Sequence, residues 1–106
     1  MERAAFLLKV REDKMEEYKQ KHTEIWPEML DALQRHGWRN YSLFLAEDGQ
    51  MFGYVEAEES IAKSIEGMAG EEVNLRWQEF MGEYFEQLSG RPDQSMVSLE
   101  QVFYLE

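Results

Sequence analysis

The sequence predicts an α+β domain of the ferredoxin-like, split β-α-β-β-α-β kind, and three observations carry that expectation. Strand-like runs flank two stretches of helical spacing, a proline at position 27 breaks the first of those stretches, and Asp48-Gly49 joins two of the runs. With 106 residues the chain can bury one modest core and not two, so residues 1–106 read as a single domain.

Residues 4–10, AAFLLKV, are apolar at both parities before the polar REDK, the pattern of a short strand covered on both faces. From Asp13 onward Met15, Tyr18, His22 and Ile25 recur at the spacing that lines one face of a helix. Pro27 has no N–H to donate and its ring crowds the preceding turn. The helix is therefore expected to end or kink near residues 24–26, with Pro27 opening a second piece. That piece carries Met29, Leu30 and Leu33 to His36 and stops at Gly37.

Residues 40–46 and 51–56 read as strands joined by EDGQ, where Gly49 tolerates the positive φ that a tight turn between twisted strands requires. Ser60 is placed to cap a short helix that Gly67 and Gly70 interrupt. Residues 71–88 carry the clearest helical stripe, Val73, Trp77, Met81, Tyr84 and Leu88, with Ser89-Gly90 and Pro92 to end it. After RPDQS, residues 97–105 read as the last strand. Helices on one face of a four-stranded sheet leave the other face uncovered, which predicts a homodimer packed sheet to sheet.

Composition narrows the function classes. Lys and Arg number 11 against 22 for Asp and Glu, and a net charge of −11 is repelled by phosphate backbones and anionic lipid surfaces. Nucleic acid and membranes are thus not expected as partners. The absence of cysteine removes disulfides, thiolate nucleophiles and thiolate metal sites together. The opening MERAAFLLKV is too short an apolar run for a signal peptide, and no stretch approaches a membrane span, so a cytoplasmic location is expected.

The residues that could carry chemistry lie on the predicted inner faces. Tyr18 and His22 sit one turn apart on the helix face directed at the sheet. His22 reads either as a core histidine bonded to a backbone carbonyl or as a near-neutral group able to give and take a proton. Tyr18 reads as a packed ring with its hydroxyl at the rim, and Tyr41 as a cross-strand packing residue or a donor at a pocket mouth. Trp26 serves as a lid or, more simply, as a staple for the second helical piece. Trp77 is core by periodicity, or a platform for the apolar face of a sugar ring, with Arg76 or Gln78 bonding hydroxyls nearby. Seven methionines read as gap-fillers, and the acidic clusters at 16–17, 56–59 and 71–72 as solvated faces without metal-ligand spacing to either histidine. No phosphate loop, Ser-His-Asp arrangement or HExxH motif is present.

Taken together, Y-x-x-x-H-x-x-I-W-P-E-M, G-x-x-N-Y-S-L-F-L from Gly37, M-F-G-Y-V-E, R-W-x-x-F-M and the terminal V-F-Y-L closely resemble the L-rhamnose mutarotase family, from the first strand to the last. The resemblance implies a dimeric α+β barrel and a cofactor-free, metal-free enzyme that interconverts the α and β anomers of L-rhamnose or a related free sugar. It implies that His22 is the proton donor and that Tyr18, Tyr41 and Trp77 contact the substrate. Members commonly carry two adjacent tryptophans after the arginine. Here the second position is Gln78, which exchanges an aromatic wall for a hydrogen-bonding amide at the sugar site. A small dimeric-barrel monooxygenase and a non-catalytic sugar-binding module share the element order and are the rival readings.

Overall fold

In the computed structural model, which describes residues 1–86 and 96–105, a four-stranded antiparallel sheet carries its helices on one face. The chain runs through β1 (Glu2–Lys9), a 3₁₀ turn (Glu12–Lys14), α1 (Met15–His22), α2 (Pro27–Arg35), β2 (Trp38–Leu45), β3 (Gln50–Ala57), α3 (Ile61–Ala69), α4 (Glu72–Met81), a second 3₁₀ turn (Gly82–Tyr84) and β4 (Val97–Leu99). The strand order β2-β3-β1-β4 places β1 and β3 in the middle and is the order of the ferredoxin-like arrangement predicted from the pattern. Among the described residues no helix is long and apolar enough to cross a membrane.

Local chemistry explains most boundaries. Trp26 holds an extended ψ of 131° before Pro27, and Pro27 occupies the first turn of α2, where its missing N–H costs nothing. Gly37 closes that helix at φ +80, and Gly49 turns the β2–β3 hairpin at φ +93. Ser60 caps α3 by accepting the N–H of Lys63. The inner face of the sheet presents Phe6, Met51, Val55 and Ala57, all buried, to Met29 and Ala32 of α2, Met68 of α3, and Val73, Trp77 and Met81 of α4.

Several expectations need correction. Leu7 is half-buried rather than covered, because among the described residues the outer face of the sheet carries no second layer. Gly67 does not interrupt α3. It lies inside the helix, where a Cβ would overlap the His36 ring, so its smallness lets α2 and α3 approach. The last long helix is shorter than its stripe: α4 ends at Met81, and after the 3₁₀ turn Phe85 is extended (φ −110, ψ 150) and bridges to Val10. The N–H of Arg11 donates to the Tyr84 carbonyl and that of Glu86 to Lys9, both at 2.8 Å, so strand-like pairing with the end of β1 outcompetes another helical turn. Leu88, Ser89-Gly90, Pro92 and the 91–95 loop lie outside the described residues. The final strand spans only Val97–Leu99, since the chain then leaves the ladder and Tyr104 lies over Arg3, 4.0 Å from guanidinium carbon to ring centre.

Candidate active site

Between the inner face of the sheet and the helices lies a cavity of about 370 Å³, and Tyr18, His22, Tyr41, Trp77 and Gln78, five of the residues weighed from the sequence, line it. They arrive from α1, β2 and α4, three elements distant in the chain. Most of the remaining wall is apolar, including Phe6, Met29, Leu43 and Met68. A mostly apolar cleft with a few convergent polar groups is the usual form of a small-molecule site.

Tyr18 and His22 are spaced i, i+4 on α1, and their rings stand 4.3 Å apart. His22 Nδ1 lies 3.0 Å from the Tyr18 carbonyl oxygen. A carbonyl oxygen can only accept, so Nδ1 carries the proton in that bond and Nε2 is the nitrogen left to titrate. Burial lowers the His22 pKa below its ordinary value, and the bond to the Tyr18 carbonyl opposes that shift only in part. The backbone bond alone would have suited a core histidine. What distinguishes His22 is that it also lines the cavity, edge-on to Trp77 at 5.9 Å.

Burial, with a smaller contribution from Tyr41, pushes the Tyr18 phenol far above its ordinary range. Tyr18 is therefore held in its protonated form, in which it can offer a hydrogen bond. Trp77, buried on α4, is both core and cavity wall. Its ring is supported by Trp26, 5.0 Å away at 83°, and by Phe80 at 5.8 Å. Trp26, read as a lid or a staple for α2, packs its indole against Trp77 and Phe80 of α4. Ile25 of the same turn lines the cavity directly.

Gln78 donates through Nε2 to Asn74 Oδ1 at 3.1 Å, and Asn74 donates through Nδ2 to the Met68 carbonyl at 3.1 Å. This amide chain sets the orientation of Gln78 at the wall. Asn74 is buried and lines the cavity, yet sequence reasoning passed over it. The available signal was a polar side chain between Val73 and Trp77 on an otherwise apolar stripe. Gln34 and Trp38 line the cavity as well. Arg76 turns outward to Glu28 at 3.4 Å, so of the pair Arg76 and Gln78 only Gln78 reaches the site.

No carboxylate lines the cavity among the described residues. Glu71, expected on a solvated face, instead accepts from His36 Nε2 at 2.6 Å and from Arg35 at 3.0 Å, while Glu56 accepts from the Tyr54 hydroxyl at 2.8 Å. Among the described residues no three His, Asp or Glu side chains gather as a metal site would require.

A family model described as L-rhamnose mutarotase matches residues 3–105. The L-rhamnose mutarotase of Bacillus subtilis is 41% identical over 107 residues, covering 100% of both chains. That of Tolumonas auensis is 42% identical over 108 residues, covering 99% of each. Among solved structures, an L-rhamnose mutarotase from Formosa agariphila superposes with a TM-score of 0.82 at 29% identity, with both chains fully covered. Tetracenomycin F2 cyclase from Streptomyces glaucescens, a type-II polyketide cyclase, superposes at 0.67 over 100% of this chain and 97% of its own, but at 18% identity it speaks to the α+β fold alone.

Proposed function

Because the chain belongs to the L-rhamnose mutarotase family, whose members interconvert the anomers of a free sugar, we propose that the cavity is where it exchanges α- and β-L-rhamnose, with His22 moving the proton at the ring oxygen. The supporting observation is the setting of His22: one nitrogen anchored on the Tyr18 carbonyl, the ring held against Tyr18 and Trp77, and no carboxylate among the described residues of the cavity wall. The rival readings as a monooxygenase or a passive sugar-binding module are not favoured by full-length relatives that carry the mutarotase name.

Ring opening requires a proton delivered to the ring oxygen as its bond to C1 breaks, and a proton lost from the anomeric hydroxyl as the C1 carbonyl forms. Rotation about C1–C2 and reclosure then give the other anomer. In this reading the imidazolium of His22 donates from Nε2 on opening, and the neutral ring takes the proton back on reclosure. Its lowered pKa makes the imidazolium a readier donor. The Tyr18 phenol and the amides of Asn74 and Gln78 hold hydroxyls, Tyr41 closes the more exposed rim, and Trp77 backs an apolar face of the ring. Water takes the anomeric proton, since Tyr18 stays protonated and the described lining offers no carboxylate.

Positioned acid–base groups contribute about 10²–10⁴-fold each, a sufficient scale for a reaction that also runs unaided in water. Exchange NMR on an equilibrium mixture of L-rhamnose anomers should show faster interconversion with the protein than in buffer, unchanged after dialysis against a chelator. Interconversion no faster than in buffer would reject the reading.

We also propose that residues 1–106 act as one mutarotase-like domain in a cytoplasmic homodimer. The outer face of the sheet supports this, with Phe44 and Val97 61% and 60% exposed and Phe52 beside Phe44 at 6.2 Å between ring centres. Sedimentation at micromolar concentration should give the mass of two chains. A well-folded monomer there would remove the dimer from the account.

A further inference from the structure

We propose that Trp38 is a sugar-contacting residue that helps set which sugar is bound, its ring forming a wall with Tyr41 and its indole, turning as the sugar enters, donating its N–H to a sugar hydroxyl. The inference rests on the cavity being the sugar site.

The placement of Trp38 comes from a break in the regularity of β2. Trp38 pairs with Ala57 and Arg39 with Glu56, but the next pair is Ser42 with Tyr54, so Asn40 and Tyr41 together stand opposite the single residue Val55. Asn40 takes up the extra residue at φ +48, a conformation that asparagine tolerates better than most side chains. In an unbroken strand, residues three apart face opposite sides of the sheet. The bulge instead puts Trp38 and Tyr41 on the same side, with ring centres 5.1 Å apart, and both line the cavity.

A second observation points the same way. The Trp38 indole Nε1 is buried and has no hydrogen-bond acceptor among the described residues. Buried donors in native proteins nearly always find a partner, and a tryptophan N–H can do nothing but donate. That nitrogen is closed off from the cavity, so a bound polyol supplies the missing acceptor by the indole turning toward it as the sugar enters. The ring would then cover an apolar face of the sugar while the N–H reads one hydroxyl, which is how a wall becomes selective.

The test begins on the parent protein with uniformly ¹⁵N-labelled chain and L-rhamnose as the probe. The indole N–H resonance of Trp38 should shift on saturation with the sugar, and its exchange with solvent should slow. Trp38→Phe, which keeps a ring and deletes the donor, should raise KM for L-rhamnose about tenfold while changing kcat much less. Among monodeoxy L-rhamnose analogues, one should bind the parent weakly but bind Trp38→Phe no worse than L-rhamnose itself. If other cavity resonances move with sugar while the Trp38 N–H does not, or if a folded Trp38→Phe protein keeps parental KM and parental ranking of the analogues, Trp38 is core packing and the inference fails. A parent protein that neither binds nor exchanges L-rhamnose would overturn the functional reading and this inference together.

Discussion

The two histidines occupy comparable places, His22 as the last residue of α1 and His36 just past the end of α2, yet among the described residues only His36 meets a carboxylate. His36 shares the Glu71 carboxylate with Arg35, and hydrogen bonds from His36 first and Arg35 second hold the Glu71 carboxyl below its ordinary range. His22 meets a backbone carbonyl and two aromatic rings. His22 stands at the negative end of a helix dipole, which favours the charged ring, but burial prevails there. The same residue type thus becomes a clamp between α2 and the start of α4 where an anion is supplied, and is proposed as a proton carrier at the cavity.

Exchanging the roles of the two residues is the strongest test of that contrast. His22→Asn should slow anomer exchange roughly 10²-fold or more with the fold intact, as measured by exchange NMR. His36→Asn should leave exchange within about twofold and lower stability by about 0.5–1.5 kcal/mol in urea unfolding, since it removes one partly exposed hydrogen-bonded pair. The opposite pattern would invert the assignment.

The cavity wall is expected to respond next most strongly. Trp77→Ala should weaken L-rhamnose binding by about 1–3 kcal/mol, taking stacked-base contacts as the analogy, and should also destabilise the core that Trp77 fills. Gln78→Trp should shift preference among related sugars while the protein stays folded. Titrations that leave both affinity and preference unchanged would return these two residues to packing. A smaller effect, confined to the clamp, is predicted for Gly67→Ala: the added Cβ overlaps the His36 ring, so stability should fall by about 1–3 kcal/mol with exchange preserved. An exchange rate that fell in step with stability would tie the clamp to the site after all.

How much of this was legible in the sequence follows from the range of the interactions involved. The element order, the Pro27 break, the Gly49 turn and the Ser60 cap each depend on a residue and its near neighbours, and all are found where the sequence put them. The end of α4 was misjudged because Phe85 answers to Val10, a partner far away in the chain that no periodicity reveals. Glu71 looked like solvated charge because His36 approaches it only once α2 and α4 are packed. The five residues proposed for the site were picked out through quoted motifs and helical spacing, and all of them line the cavity. Trp38 and Asn74 escaped for different reasons. A bulge turns the first pattern of alternation aside, and the second is a lone amide in an apolar stripe whose partners are a backbone carbonyl and Gln78.

The central claim is that His22 carries the proton at the ring oxygen, and the pH dependence of L-rhamnose anomer exchange, measured by NMR on the parent and on His22→Asn, tests it most directly. Donation on opening needs the imidazolium, so parental exchange should fall as pH rises through the His22 pKa, and burial places that limb on the acid side of the ordinary imidazole value of 6.5. In His22→Asn the limb should vanish and a low, flatter rate remain. Near-parental exchange in the folded variant across that range, or the same limb surviving the substitution, would contradict the account and leave His22 a core histidine.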